Sequence, residues 1–274
     1  MSDHVVGWAE IEGNIEVAEG HFRMKLFAPG MARTGRPGQF VHVRCSNQLD
    51  PLLRRPFSLH RIRDQHIEIL YKVVGQGTKL LAAKKAGQKL DVLGPLGKGF
   101  WIDSLKEGIS VLVGGGIGAA PLLALAEELK KLGQEILILI GAATKEGLLA
   151  LQEFSQLGSL EVATLDGRQG YAGLVTDLLI KAVTDRQVAQ IYACGPKAML
   201  KEVSRLAEAG GYPAQVSMEE RMACGVGACL GCVVPVRRLG NQAGREHKAS
   251  NKNEAAYQRV CREGPVFDAR EIVW

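Results

Sequence analysis

The stretch ISVLVGGGIGAAP, from Ile109 to Pro121, passes from an apolar run into a group of glycines and then into a predicted helix. The apolar run predicts a buried strand, and the leucines after the glycines recur at helical spacing until Gly133. The leucines predicted to share one face of this helix are Leu122, Leu125, Leu129 and Leu132. A strand, a glycine turn and a helix in this order are typical of a phosphate-binding unit in an open α/β sheet.

Similar units follow along the chain. Strands are predicted at Ile136–Ile140, Glu161–Leu165 and Gln190–Tyr192, and their alternation with helices indicates a parallel, doubly wound sheet. The glycine turn departs from the G-x-G-x-x-G pattern, and no acidic residue is placed for a ribose, since Asp166–Gly167 is interpreted as a turn. The segment Gly141–Lys145 holds no arginine for a 2′-phosphate, although its lysine leaves NADPH open.

The segment from about Val5 to Pro95 carries strand signals instead. Short alternating apolar runs are separated by Gly/Pro clusters without helical periodicity, which indicates a small antiparallel barrel. Within it, Arg55–Ser58 places an arginine and a hydroxyl on one strand, where they suit a phosphate and the edge of a flavin ring. The turn Gly75–Thr78 opens a helix, with Thr78 as its cap, and offers free N–H groups to a phosphate. Taken alone, an outward arginine and serine on a strand are commoner than a ligand site, and the turn also fits a plain helix N-cap.

The stretch CGVGACLGC, from Cys224 to Cys232, spaces three cysteines as C-x4-C-x2-C, and Cys261 is the last of the six cysteines in the chain. This spacing is the plant-type [2Fe-2S] pattern. Its glycines allow backbone N–H groups to approach the sulfur atoms. A structural zinc site or a set of reactive thiols is the alternative, although zinc sites usually pair two C-x2-4-C units. Disulfides are disfavoured because nothing marks the protein as secreted.

Length and composition set the frame for these motifs. The chain of 274 residues suits two core-bearing domains and a small appendage, and its 46% hydrophobic content is that of an ordinary soluble protein. The N-terminus has no signal-peptide pattern and no apolar run reaches membrane-spanning length, so we predict a cytoplasmic protein without membrane contact.

The formal net charge of +5 is concentrated in the segment 233–262. This segment lacks a basic stripe with interleaved aromatic residues, so nucleic-acid binding is not predicted. We interpret the basic stretch Arg237–Lys252 as a solvated, partly disordered loop or as a docking surface for an acidic partner.

Three further strings of sequence complete the set of motifs. The predicted strand ending at Tyr192 runs into Cys194–Met199, a C-G-P-x-x-M string, and the strings EERMACG at Glu219–Gly225 and VCREGPVF at Val260–Phe267 surround the cysteine loop. With the arginine strand and both glycine turns, they resemble the ferredoxin–NAD(P)+ reductase superfamily. More closely, they resemble the electron-transfer subunits of class B, NAD-dependent dihydroorotate dehydrogenase. The resemblance covers essentially the whole chain.

The resemblance implies a multidomain β + α/β fold. It consists of an antiparallel FAD-binding β-barrel (1–103), a doubly wound parallel-sheet NAD domain (104–216) and a small C-terminal [2Fe-2S] domain (217–274). The residues that it implies at the FAD are Arg55, Pro56, Phe57, Ser58, Leu70, Tyr71, Lys72, Gly77 and Thr78. Those implied at the NAD(H) are Gly114, Gly115, Gly116, Gly118, Pro121, Gly195 and Pro196. Cys194 is implied as the catalytic residue beside the nicotinamide and the flavin, and Cys224, Cys229, Cys232 and Cys261 are implied as cluster ligands.

The resemblance also implies a function. NADH exchanges a hydride with FAD, and because a [2Fe-2S] cluster takes one electron at a time, the flavin converts two-electron into one-electron transfer. The implied partner is an FMN-containing catalytic subunit that oxidises dihydroorotate to orotate in pyrimidine biosynthesis, in a heterotetramer of two plus two. Alternatives with the same architecture are the small subunits of NADH-dependent ferredoxin–NADP+ oxidoreductase and of sulfide dehydrogenase. A non-enzymatic iron–sulfur redox sensor is the alternative from another class.

Overall fold

Six antiparallel strands in the first third of the chain close into a barrel, in the order β1-β2-β5-β4-β3-β6. The computed structural model describes residues 5–102, 107–184, 186–237 and 256–274. The barrel strands are β1 (Val5–Ala18), β2 (His21–Phe27), β3 (Phe40–Val43), β4 (Arg55–Arg63), β5 (His66–Lys72) and β6 (Lys89–Leu96). Two short helices accompany them, α1 (Pro29–Thr34) and α2 (Gln76–Ala82). The predicted antiparallel barrel is confirmed.

Alternation along the strands fills the barrel. Val41 and Val43 of β3 and Ile67 and Ile69 of β5 are fully buried in its core, because alternate residues of a strand point to the same side of a sheet. This apolar interior leaves the intervening residues on the outer face, where the cofactor cleft and the C-terminal segment lie.

The middle of the chain forms an open sheet with helices. Its parallel strands are β7 (Ile109–Gly115), β8 (Ile136–Ala142), β9 (Ser159–Thr164), β10 (Tyr171–Ala172), β11 (Val188–Cys194) and β12 (Ala214–Ser217), arranged in the order β10-β9-β8-β7-β11-β12. The helices are α3 (Ala120–Lys131), α4 (Leu151–Ser155), α5 (Val175–Thr184) and α6 (Lys197–Gly210). The strand order reverses between β7 and β11, and ligands of open α/β sheets bind at such a switch point. The predicted doubly wound parallel sheet is confirmed.

One prediction for α3 is wrong. Leu122, Leu125 and Leu129 are fully buried as expected, but Leu132 is 56% exposed. The helix ends at Lys131, and the chain then turns at Gly133 with a φ of +73°. Leu132 is therefore carried away from the apolar face that the helical spacing assigned to it.

The C-terminal segment is joined to the α/β sheet. Strands β13 (Val233–Val236) and β14 (Ala256–Arg259) pair with each other, whereas β15 (Val266–Asp268) pairs antiparallel with β12. The seventh strand of the open sheet is therefore supplied from beyond the cysteine loop. The division at residues 103 and 216 stays a prediction.

An ion-pair network fixes the barrel against the sheet. Arg61 of β4 donates to the Glu127 carboxylate of α3 at 2.9 Å, and Arg63 pairs with the same carboxylate, which is only 8% exposed. The buried ring of His60 lies with its Nδ1 2.8 Å from the carbonyl oxygen of Ala120, at the start of α3. These contacts hold the glycine turn before α3 next to the outer face of the barrel.

Among the described residues, no helix is both long enough and apolar enough to cross a membrane.

Candidate functional site

A cleft of about 520 Å3 lies between the barrel and the α/β sheet. Eight of the nine residues predicted to bind FAD line it: Arg55, Pro56, Phe57, Ser58, Leu70, Tyr71, Lys72 and Thr78. The sheet side contributes Ile117, Ala120 and Met218. The cleft is largely apolar with a few charged groups at its edge, as expected of a cofactor site.

The ninth residue, Gly77, lies behind Arg55 rather than in the wall of the cleft. A Cβ on Gly77 would come within 3.3 Å of Arg55 Nε and 3.2 Å of Cys45 Sγ. Arg55 Nη1 donates to the carbonyl oxygen of Leu53 at 2.7 Å, which leaves other guanidinium donors for a ligand. The glycine therefore makes room for the arginine at the cleft.

The turn before α2 is held by Thr78, although the threonine is not the N-cap that the sequence predicted. Gly75 occupies the N-cap position in an extended conformation, and Thr78 is the third residue of the helix. Its Oγ1 accepts hydrogen bonds from the N–H groups of Val74 at 2.9 Å and Gly75 at 3.1 Å. The hydroxyl thus closes the turn in a capping-box arrangement.

Tyr71 contributes to the cleft while its hydroxyl is engaged inside the barrel. The hydroxyl donates to Asn14 Oδ1 at 3.0 Å, and the ring lies 5.4 Å from that of Phe57. Burial raises the pKa of the Tyr71 phenol to about 12. The phenol therefore stays protonated at neutral pH, and its hydrogen bond links β5 to Asn14 of β1.

A second cleft, of about 330 Å3, lies where the turns after β7 and β11 meet. It is lined by five of the residues predicted to bind NAD(H), namely Gly115, Gly116, Gly118, Gly195 and Pro196. Gly114 and Pro121 lie outside its lining: a Cβ on Gly114 would come within 2.8 Å of Ile140 Cδ1, and Pro121 is buried at the start of α3. These two residues therefore shape the strand-to-helix turn without facing the cleft.

Cys194, the predicted catalytic residue, is fully buried at the end of β11 and lines neither cleft. Burial is the main cause that raises the pKa of its thiol, and the nearby Glu219 charge adds to it, while a hydrogen bond with Ser217 opposes it. The thiol is therefore protonated at neutral pH, and thiolate chemistry is disfavoured. A catalytic role for Cys194 stays a prediction.

Glu219 was not singled out from the sequence. It lines both clefts, together with Ile117 and Met218, and lies two residues after the end of β12. Its side chain reaches solvent within the clefts, yet the surrounding protein still raises the pKa of its carboxyl through desolvation. Its position at the carboxyl end of a parallel strand is the signal that identifies it in retrospect.

The four predicted cluster cysteines form two pairs, Cys224 with Cys229 and Cys232 with Cys261, each within hydrogen-bonding reach. Among the residues that the structure describes, no three Cys, His, Asp or Glu side chains converge on a point that could hold a single metal ion. Two pairs suit two irons that each take two thiolates, which is the arrangement of a [2Fe-2S] cluster. A mononuclear zinc site needs all ligands at one point.

Backbone N–H groups turn towards the sulfur atoms in this loop. Cys224 Sγ accepts from the N–H groups of Ala228 at 3.3 Å and Cys229 at 3.4 Å, and Cys229 Sγ accepts from that of Gly231 at 3.4 Å. Desolvation acts to raise the pKa of Cys224, but N–H donors, with that of Cys229 first, outweigh it and lower the pKa to about 6. Such donors stabilise thiolates, the form that binds iron.

The second pair is more enclosed than the first. Cys232 and Cys261 are buried, whereas Cys229 is exposed. Burial, followed by the neighbouring Cys232, raises the pKa of Cys261 to about 12. A cluster bound here would therefore approach the surface on the Cys229 side. The predicted basic loop Arg237–Lys252 lies outside the described residues, apart from its first residue.

Comparisons with known proteins show which families this chain resembles. Two family models match: the iron–sulfur cluster binding domain of dihydroorotate dehydrogenase B over residues 219–273, and an oxidoreductase NAD-binding domain over residues 112–205. The dihydroorotate dehydrogenase B (NAD(+)) electron transfer subunit of Desulforamulus reducens is 40% identical over 261 residues, which is 94% of each chain. The chain belongs to the family of dihydroorotate dehydrogenase B electron transfer subunits. The subunit from Geobacillus thermodenitrificans is 42% identical over 260 residues, again 94% of each chain.

Solved structures show that this electron transfer subunit has a ferredoxin reductase-like fold. The structure of an NADH-dependent reduced ferredoxin–NADP oxidoreductase is similar over 100% of this chain and 92% of its own, with a TM-score of 0.82 and 31% identity. The ferredoxin reductase of carbazole 1,9a-dioxygenase shares the fold, with a TM-score of 0.66 and 21% identity over 77% of this chain and 67% of its own. The predicted fold class and the predicted FAD, NAD(H) and iron–sulfur cofactors are confirmed by these matches.

Proposed function

We propose that this chain passes electrons between NAD(H) and the catalytic subunit of a dihydroorotate dehydrogenase in pyrimidine biosynthesis. The observation that carries the proposal is the course of one short segment. It leaves the open sheet at Ser217, lines both clefts at Met218 and Glu219, and enters the cysteine loop at Cys224. This course supports a relay, because one segment borders both clefts and then continues into the cysteine loop.

Each cofactor has a group of residues suited to hold it. Arg55 offers guanidinium donors to a diphosphate at the edge of the first cleft, while Leu70 and Phe57 offer apolar surface to an isoalloxazine ring. Gly116, where a Cβ would meet nothing within 4 Å, leaves backbone room in the second cleft for a nicotinamide dinucleotide. When bound, FAD supplies the exchange of a hydride for single electrons, which neither NAD(H) nor a [2Fe-2S] cluster provides.

The second half-reaction belongs to a partner. We propose an FMN-containing subunit that oxidises dihydroorotate, joined to this chain in a complex of two plus two. The exposed position of Cys229 supports this, because electrons pass most readily to a partner from the accessible side of a cluster. The names of the relatives, which describe one subunit of a larger dehydrogenase, support it as well.

A second candidate function is supported by the similarity to the NADH-dependent ferredoxin–NADP oxidoreductase structure, which covers the whole chain at 31% identity. The relatives at about 40% identity favour dihydroorotate over ferredoxin as the source of electrons. The two functions differ in the partner and in the oxidisable substrate, so they are separable by assay.

The proposal is tested by expressing the chain with each candidate partner from its own source organism. We expect dihydroorotate-dependent reduction of NAD+ with the dehydrogenase subunit, and no reduction of NADP+ by reduced ferredoxin with the other partner. The opposite outcome would transfer the assignment to the ferredoxin system. Failure of NADH to bleach the flavin of the purified chain under anaerobic conditions would instead favour a redox sensor.

A further inference from the structure

His42 lies on the outer face of the barrel and is nevertheless fully buried. It is the third residue of β3, between Val41 and Val43, whose side chains fill the barrel core. Strand alternation therefore directs the imidazole away from the core. An outward residue of a barrel strand is buried only if another part of the chain covers it.

The cluster-binding loop provides this cover. A Cβ on Gly225 would come within 2.5 Å of His42 Nδ1, and its three nearest neighbours would all be atoms of this ring. Gly225 has a φ of +72°, which favours glycine independently of the contact. The backbone of Cys224 also lies close enough to influence the ring. The Nδ1 edge of His42 therefore faces the residue pair Cys224–Gly225.

The polar atoms of this ring form no well-aligned hydrogen bond within the described part of the chain. Neither Nδ1 nor Nε2 of His42 has a partner there at ordinary distance and angle, although backbone groups of Arg54 and Cys224 lie close enough to raise its pKa slightly against the effect of burial. Burial is the largest cause that lowers the pKa of His42 to about 4, and in either protonation state the imidazole carries at least one N–H donor. A buried donor without an acceptor is unfavourable and calls for an explanation.

His60 shows that this is not a general property of buried histidines in the barrel. Burial likewise lowers the pKa of His60 to about 4, but its Nδ1 has a partner in the carbonyl oxygen of Ala120 at 2.8 Å. The two histidines thus differ in surroundings: His60 faces a helix of the α/β sheet, whereas His42 faces the loop that carries the cluster cysteines.

We propose that His42 is a positioning residue for the iron–sulfur cluster, which donates its ring N–H towards the loop at Cys224 and favours the reduced cluster. This inference rests on the proposed cluster site. Reduction adds negative charge to the cluster, and a donor aimed at that charge stabilises it, because hydrogen bonds around the sulfur atoms help to set the reduction potential. The barrel that holds the flavin would thereby also tune the carrier that exchanges electrons with it.

The test is a redox titration of the cluster, followed by electron paramagnetic resonance, in the full chain with its cofactors. His42→Phe keeps a ring but removes the donor, whereas His42→Asn retains an N–H donor near the place of Nδ1. His60→Phe is the matched control, because it alters a second buried barrel histidine that does not face the loop. Iron and flavin contents are measured for every variant.

We expect His42→Phe to lower the midpoint potential by about 59 mV, a tenfold change in the one-electron equilibrium, as for the loss of one hydrogen bond to a charged group. His42→Asn and His60→Phe should keep the wild-type potential. If His42→Phe cannot retain the cluster, retention and a wild-type potential in His42→Asn still support the donor role.

Two results would overturn the inference. One is an unchanged potential in His42→Phe, and the other is an equal fall in potential, or an equal loss of iron, in His42→Phe and His42→Asn. Either result would mean that the ring only fills space. Absence of iron and of a cluster signal from the wild-type chain would instead refute the cluster site and the proposed function with it, so the two failures are distinguishable.

Discussion

The carbonyl oxygen of Cys194 lies so close to Gly118 that a Cβ on this glycine would come within 2.3 Å of it. The turns after β7 and β11 are therefore packed backbone to backbone at the switch point of the sheet. No flexible side chain is available to move aside. The shape of the second cleft depends on this contact.

Gly118→Ala should separate the two turns and damage the NAD(H) site. We expect a loss of about 1–3 kcal/mol of stability, as for overpacking, together with slower reduction of the flavin by NADH. Thermal unfolding and anaerobic stopped-flow absorbance measure the two effects. Gly13→Ala is the control, since a Cβ there meets nothing within 4 Å. Wild-type flavin reduction in Gly118→Ala would contradict the assigned cleft.

Cys229→Ser should abolish the cluster signal and transfer to the partner, while NADH still reduces the flavin. The cysteine is exposed and shares a pair with Cys224, so its loss removes a ligand without disturbing the buried core. Iron analysis and absorbance spectra check this result. Cys45→Ala, at a buried cysteine beside Gly77 and away from the loop, should keep its iron. Coupled turnover in Cys229→Ser would disprove the proposed order of carriers.

Arg55→Ala should weaken the retention of FAD. Hydrogen bonds to a charged group contribute about 1.5–3 kcal/mol, so we expect roughly a tenfold to hundredfold rise in the FAD dissociation constant. Fluorescence of released flavin during dilution measures it. Arg33→Ala, at an exposed arginine in the last turn of α1, is the control. If both variants keep the same flavin occupancy as the wild type, Arg55 does not hold the cofactor.

Glu219→Gln should change the pH dependence of stability. Desolvation raises the pKa of Glu219 in the folded protein, so this carboxyl favours the folded state at low pH and this contribution is lost as the pH rises through the raised pKa. The glutamine variant should therefore gain stability relative to the wild type as the pH rises above the ordinary glutamate pKa of about 4.3, as followed by melting temperature.

Glu202→Gln is the control, because the pKa of Glu202 is shifted in the opposite direction to that of Glu219. The hydrogen bond with Arg205 lowers the pKa of Glu202, so its contribution is present at neutral pH and is lost as the pH falls through the lowered pKa. The pair is on the surface, so the effect should be small. A constant difference between Glu219→Gln and the wild type at every pH would refute the raised pKa.

Much of the architecture could be predicted because short-range patterns in the sequence indicate its strands and turns. Alternation at Val41 and Val43 indicated the barrel, and the glycine turn after Val113 indicated the open sheet. The strand β15 could not be predicted, since three residues, Val266–Asp268, carry no periodicity and find their partner strand about fifty positions earlier in the chain. Leu132 was misplaced because helical spacing does not mark where a helix ends.

The residues of the candidate site also separate into those that local sequence patterns predict and those that only the folded chain brings together. The cysteine spacing and the glycine motifs identified the cofactors, because their chemistry requires those residue types at those intervals. Glu219 and His42 could not be found in this way. Each owes its position to two segments that meet only in the folded chain: β12 with the glycine turn for Glu219, and β3 with the cysteine loop for His42.

The proposed relay of electrons from dihydroorotate to NAD+ is tested by the rate of NADH formation, measured anaerobically with this chain and its catalytic partner purified together. We predict turnover that requires both subunits and is lost with Cys229→Ser in this chain. Equal turnover without this chain, or no orotate formed by the cofactor-loaded complex, would contradict a relay through this chain.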